Sequence, residues 1–242
     1  MNRPRTIAWA GLGAGLLSNY WLLEWWLSER TDTPRSWVSD LATRTEATGW
    51  RFQALAILSG LAIAAFAALL LRVIAISPRE GVKWRSPARG EGMVRWGLFA
   101  LLAVGIFATV AGAAPLSCPE GIEPSCTLAE DPADVVHALA TGGEIVATVL
   151  AFLFLGLAFL SLGDRHFPPR GGEMAITHSS AGWSTLGMGA VWLALTVLTG
   201  VAYLSGDVDA VKGLLQRADQ ILFGVWLALL GLWAAHHSDA PE

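Results

Sequence analysis

Apolar residues fall in six long blocks, about 6–27, 52–71, 96–114, 135–162, 183–204 and 218–235, with only loop-sized polar stretches between them. Each block is near the roughly 20 residues that a helix needs to cross a hydrocarbon core about 30 Å thick. The pattern predicts an all-α polytopic membrane protein, a bundle of six transmembrane helices forming a single domain over 1–242. The fourth block departs from uniform apolarity. Asp134, His137, Thr141, Glu144 and Thr148 follow one another at intervals of 3, 4, 3 and 4, which stacks them on one helix face. An ionised Glu at membrane depth costs about 3 kcal/mol or more, so this stripe is expected to look into the bundle, at other helices or trapped water, or else Glu144 is protonated. His137 and Glu144, about 10 Å apart along the axis, are then the top and floor of a polar pocket.

Composition sharpens this reading. Of 242 residues, 54% are hydrophobic and 15% charged, far more apolar than a soluble domain of this length. The net charge of −4 matters less than its distribution. Ten Lys and Arg fall on the side holding the N-terminus and six on the other, where Glu120, Glu123, Glu130, Asp131, Asp207 and Asp209 also gather. The 72–95 stretch alone has six bases against two acids. Positive-inside topology then puts both termini in the cytoplasm and the protein in the plasma (inner) membrane as a multi-pass chain. It also accounts for the basic loop without nucleic acid.

Along the chain, MNRPR and the apolar run after it read as a retained first helix, since no small-residue cleavage site appears before Trp21, Trp25 and Trp26. Its GLGAG lacks the preceding strand and third glycine of a nucleotide fingerprint. Gly11 and Gly15 instead form a small-xxx-small pair for close helix contact, and no cofactor is expected. Tyr20, Trp21, Trp25 and Trp26 suit an interfacial belt. The first outer loop carries Trp37, Val38 and Leu41 beside Asp40; apolar residues so placed predict a loop folded back onto the bundle. The outer loop 115–134 holds the only two cysteines, Cys118 and Cys126. On an oxidising side their close spacing favours a disulfide over a metal pair, because His137 is the only His there. No metal site is expected. The sixth block opens with Gln216, Arg217, Asp219 and Gln220 clustered at its outer end.

The chain resembles a group of six-helix bacterial and archaeal membrane proteins, the domain-of-unknown-function 998 family. The likeness rests on SWVSDLA at 36–42, on His137 near the start of the fourth helix, and on GLLQRADQILFGVW at 213–226. It covers nearly the whole chain and implies a fold and a membrane address, without an established activity. The cysteine loop is not part of the likeness.

Topology carries Asp40, His137 and Arg217 to one membrane boundary, with Thr141, Glu144 and Gln220 beneath. Together these six are the candidate ligand-binding residues. An Asp holding a His, with an Arg for an anion, suits a phosphate headgroup or a proton transfer. Three functions stay open. One is a binding module for a lipid or amphiphile, or an accessory subunit meeting a membrane-protein partner. The second is an intramembrane lipid-modifying enzyme, hydrolase or transferase, with Ser39 (or Ser36) as nucleophile, His137 as base and Asp40 as orienter; no elbow or oxyanion motif accompanies them. The third is a purely structural polar network, each such contact contributing about 0.6 kcal/mol between membrane helices.

Overall fold

Every apolar block becomes helical, but the first does so differently from the rest. The computed structural model describes residues 3–27, 36–76, 89–119, 131–163, 178–205 and 211–238. Seven α-helices occur among the described residues: α1 Arg3–Leu17, α2 Glu24–Leu27, α3 Gly49–Ile76, α4 Arg89–Ala113, α5 Pro132–Gly163, α6 His178–Ser205 and α7 Lys212–Ser238. Two 3₁₀ turns, Tyr20–Leu23 and Ser39–Ala42, complete the described elements, and no strand occurs among the described residues. Helices α3 to α7 are long and apolar enough to span a membrane, with mean hydropathy between 1.6 and 2.6. The protein is a multi-pass membrane protein.

The expected first span, 6–27, is broken. Helix α1 has 15 residues, about 22 Å of rise, and stops at a Ser-Asn pair. Ser18 Oγ donates to the Gly15 carbonyl at 2.8 Å and Asn19 Nδ2 to the same oxygen at 2.9 Å. Side chains that satisfy a terminal carbonyl this way compete with helix continuation. The 3₁₀ turn and the short α2 follow. The break overturns part of the expected belt: Trp25 and Trp26 face outward, whereas Trp21 is buried and Tyr20 turns into the bundle.

The start of α5 illustrates how polar termini are closed. Asp131 accepts the Ala133 amide N–H at 2.8 Å and Pro132 occupies the first helical position, a cap and a residue with no amide hydrogen to satisfy. The Ala133 N–H, and then the Arg44 guanidinium at 2.7 Å, hold the Asp131 carboxyl below its ordinary value.

Packing closes the helices into a ring. Each of α3 to α7 lies against its chain neighbours, and α1 packs along both α7 and α3. Contacts such as Gly97 with Leu155 pair an early residue of one helix with a late residue of the next, and Gly156 with Leu186 a late residue with an early one, so neighbours are antiparallel. The Gly11 and Gly15 pair does what its spacing predicts. A Cβ on Gly11 would stand 2.7 Å from the Gly231 Cα, and one on Gly15 would strike the Gly224 carbonyl. α1 and α7 therefore touch backbone to backbone, with their starts at opposite ends. Both α1's start and α7's end consequently lie at one end of the ring. Exposed Trp9, Trp96 and Trp183 lie toward that end, and exposed Trp25, Trp26 and Trp50 toward the other, two levels where amphipathic rings meet the membrane boundary.

The ring interior is filled unevenly. In the half nearer the termini, Ile7, Phe66, Leu98, Leu101, Leu155, Phe159 and Leu230 form a continuous buried core. Phe152 lies 4.3 Å, centroid to centroid, from Trp226, and Phe159 lies 4.3 Å from Trp233. The other half is polar and incompletely filled.

Candidate functional site

The loop after α2 does fold back. Val38, Leu41, Ala42 and Phe52 form a second buried apolar cluster with Trp21. Removing such side chains from water contributes about 1.5–3 kcal/mol each. The backbone is pinned as well. Gln216 Oε1 accepts the Val38 N–H at 2.7 Å, Gln53 Nε2 donates to the Ala42 carbonyl at 2.9 Å, and the Arg44 N–H donates to the Leu116 carbonyl at 3.0 Å. Residues 36–48 therefore form a cap tied to α3, α7 and the end of α4.

Beneath the cap is a cavity of about 150 Å³, the size that holds a benzene molecule in an engineered protein core. It is lined by His137, Thr141 and Glu144 from α5, Gln216 and Gln220 from α7, Ser39 from the cap, and Ser18 and Tyr20 from the break after α1. Ser59 of α3 adds a hydroxyl; Ala56, Ile63, Ala108, Gly112 and Phe223 supply apolar wall. Phe223 stands at the closed end, 6.3 Å from Phe152 of the aromatic core. The cavity thus occupies one half of the ring and stops at the packed half.

His137 is held by geometry that fixes its tautomer. Its Nδ1 lies 3.0 Å from both the Ala111 and Ala114 carbonyls, oxygens left over at the end of α4. Carbonyls only accept, so Nδ1 carries hydrogen and the neutral ring's lone pair is on Nε2. Asp134, one turn earlier, accepts the Ser117 N–H at 2.8 Å and the Ser117 hydroxyl at 2.6 Å. It clamps the connection after α4. Thr148 donates back to the Glu144 carbonyl at 2.8 Å. The stripe on α5 therefore divides: its outer end fastens helices, its middle lines the cavity, and its inner end bonds to its own helix.

Asp40 and Arg217 lie outside the lining. Asp40 Oδ2 accepts the Trp37 N–H at 2.7 Å, closing the cap's own turn. Arg217 sits in a second, sealed cluster. Its Nη2 donates to Glu24 Oε2 at 2.8 Å and to Ser36 Oγ at 3.4 Å; its Nη1 donates to the Ser36 and Gly213 carbonyls at 2.8 and 3.1 Å. Both side chains of the ion pair are 3% exposed, and the guanidinium also lies 5.5 Å from the Trp21 ring centroid. This Arg holds the cap and α2 against α7. In the catalytic arrangement read from the sequence, Asp40 was to orient His137; here the Ala111 and Ala114 carbonyls hold that ring.

Two acids escaped the sequence reading. Glu24 belongs to YWLLEWWL, where a single ionisable group in an apolar run is the available signal. Asp219, grouped with outer-end polarity, is 8% exposed. Its Oδ2 lies 3.5 Å from Thr196 Oγ1, and it lies within electrostatic reach of Glu144. Cys118 is not a free thiol, and its expected partner Cys126 lies outside the described residues. Among the described residues no three His, Cys, Asp or Glu side chains gather as a metal site.

The family model described as "Protein of unknown function (DUF998)" matches residues 11–233. No curated protein and no solved structure matches the chain. The matched region takes in the broken first segment, the cap, the cavity and nearly all of α7, and the chain belongs to the DUF998 family.

Proposed function

We propose that this chain is a plasma-membrane binding protein whose cavity receives the polar end of an outer-leaflet lipid or other amphiphile. The observation that carries this reading is the cavity itself, polar along α5 and α7, apolar elsewhere, and placed under a cap at one end of the ring. Mixed lining of that kind suits a molecule with a polar tip and an apolar body. With the basic 77–88 stretch and both termini on the cytoplasmic side, the cap faces outward and the first segment, α1 with α2, counts as a sixth pass. A Cys118–Cys126 disulfide belongs to the same topology; a mass shift on alkylation only after reduction supports it, and alkylation without reduction removes it.

The test is lipid identification by mass spectrometry on the purified chain. A defined species that accompanies the wild type and is depleted in His137→Ala supports the reading. The same lipid content in both refutes it.

A second reading is an intramembrane lipid-modifying enzyme. It draws on the presence of Ser39 and His137 in one lining and on the acceptor Nε2 of His137. Turnover of labelled phospholipid that disappears in Ser39→Ala would support it, and turnover indifferent to Ser39→Ala and His137→Ala would dismiss it.

A further inference from the structure

Among the described residues, the carboxyl that lines the cavity faces no Lys or Arg there, and this narrows what it can take. Glu144 is the lining's only acid, and the lining contains neither Lys nor Arg. On α7, next to Gln220 in sequence, the buried Asp219 adds a second carboxyl, its Oδ2 3.5 Å from Thr196 Oγ1. The nearby strong base, Arg217, is engaged by Glu24 and three oxygens of Ser36 and Gly213. His137, the one basic lining residue, gives its Nδ1 hydrogen to α4 and keeps an acceptor on Nε2. The hydroxyls of Ser39, Ser59 and Thr141 in the same lining add further acceptor oxygens. The cavity is thus rich in acceptors and lacks cationic donors for a phosphate.

We propose that the cavity selects a substituted ammonium group, carried by an aminophospholipid headgroup or by a free small amine, with Glu144 as its counter-charge. The inference rests on the binding reading above and specifies which end of the amphiphile enters. An ammonium donates to Glu144 and to lining hydroxyl oxygens such as that of Thr141, while its carbon substituents meet Tyr20 and Phe223, whose rings attract cations. Ile63, Ala56 and Ala108 complete a wall that a bare inorganic cation would leave unsatisfied, since hard cations take six or more oxygen ligands.

The experiment uses the full chain in detergent, titrated with phosphatidylethanolamine, with phosphatidylglycerol, and with free ethanolamine. Bound lipid is read by native mass spectrometry and bound amine by calorimetry. Phosphatidylethanolamine should bind in preference to phosphatidylglycerol, and Glu144→Gln should weaken it by about tenfold or more, as for a buried charge pair deprived of one member. Asp219→Asn should weaken it by a smaller factor. Melting temperatures of both variants near that of the wild type show that they remain folded. If phosphatidylethanolamine binds and free ethanolamine does not displace it, the source is lipid; if ethanolamine binds alone and the lipid adds nothing, the source is a soluble amine. Equal binding of phosphatidylglycerol, unchanged affinity in Glu144→Gln, or displacement by sodium ion alone overturns the ammonium assignment. Phosphatidylglycerol that binds and is lost in His137→Ala leaves the binding function standing while removing the ammonium; failure of all three probes removes both.

Discussion

Arg217 and Gln220 stand three positions apart on α7, yet they belong to polar regions built on opposite terms. Around Arg217 the charge is matched and sealed, with Glu24, Ser36 and the Gly213 carbonyl accepting from its two terminal nitrogens. Around Glu144 and Gln220 the side chains line open volume. A buried charge held against its counter-charge fastens a structure, whereas an acid beside a cavity is suited to an occupant. The difference separates the polar residues that hold the cap from those beneath it.

That contrast breaks most visibly through Arg217. Arg217→Met should lower stability by about 3–5 kcal/mol, because the buried Glu24 carboxylate would lose its guanidinium counter-charge. Pairing it with Glu24→Met should recover much of the loss, measured by thermal melting in detergent; a double variant as unstable as the single would show that the pair is not the fastener. A smaller effect is expected at the α1–α7 seam. Gly15→Leu should cost about 1–3 kcal/mol as an overpacked contact, and Gly13→Leu, where an added Cβ meets nothing within 4 Å, should leave melting unchanged. Equal losses would dissolve the seam. Glu144→Gln should stay within about 1 kcal/mol of the wild type, since no matched ion pair is broken. A fall comparable to that of Arg217→Met would make the cavity face a structural network.

The smallest effect concerns pH. The Asp131 carboxyl is held below its ordinary value in the folded chain, first by the Ala133 N–H and then by Arg44. Its contribution is present above the unfolded carboxylate pKa and is lost as pH falls through the lowered folded one. Asp131→Asn should therefore lower the melting temperature slightly at neutral pH, leave it nearly unchanged at acid pH where the wild-type carboxyl is itself protonated, and so flatten the acid side of the profile. An equally steep acid profile in the variant would show that the cap does not contribute.

The sequence and the structure agree where one residue's environment follows from periodicity. Five spans, the inward stripe on α5 and the Gly11–Gly15 contact all follow from spacing, because helix geometry converts intervals of three and four into a shared face. The cap was legible from Trp37, Val38 and Leu41, apolar residues that a trailing loop would leave in water. Helix ends were less so: α4 begins at Arg89 rather than near Trp96, since polar residues continue a helix into the boundary region without leaving an apolar mark. The break at Ser18 and Asn19 was hidden inside an apolar block, and with it the inward turn of Tyr20 and Glu24. Which polar residues share a partner depends on contacts between distant segments. Nothing within GLLQRADQILFGVW tells Arg217, turned to Glu24, from Gln220, turned to the cavity.

The closure of α1 onto α7 sets an order of assembly. Because α1 precedes α7 along the chain, during synthesis Gly11 and Gly15 wait for Gly224 and Gly231 to arrive. Until then Glu24 lacks the Arg217 guanidinium, the lining lacks Gln216 and Gln220, and the cap has no α7 to hold it. A chain cut short before α7 would keep four consecutive spans able to associate while lacking a finished vestibule, which makes α7 the keystone of the ring.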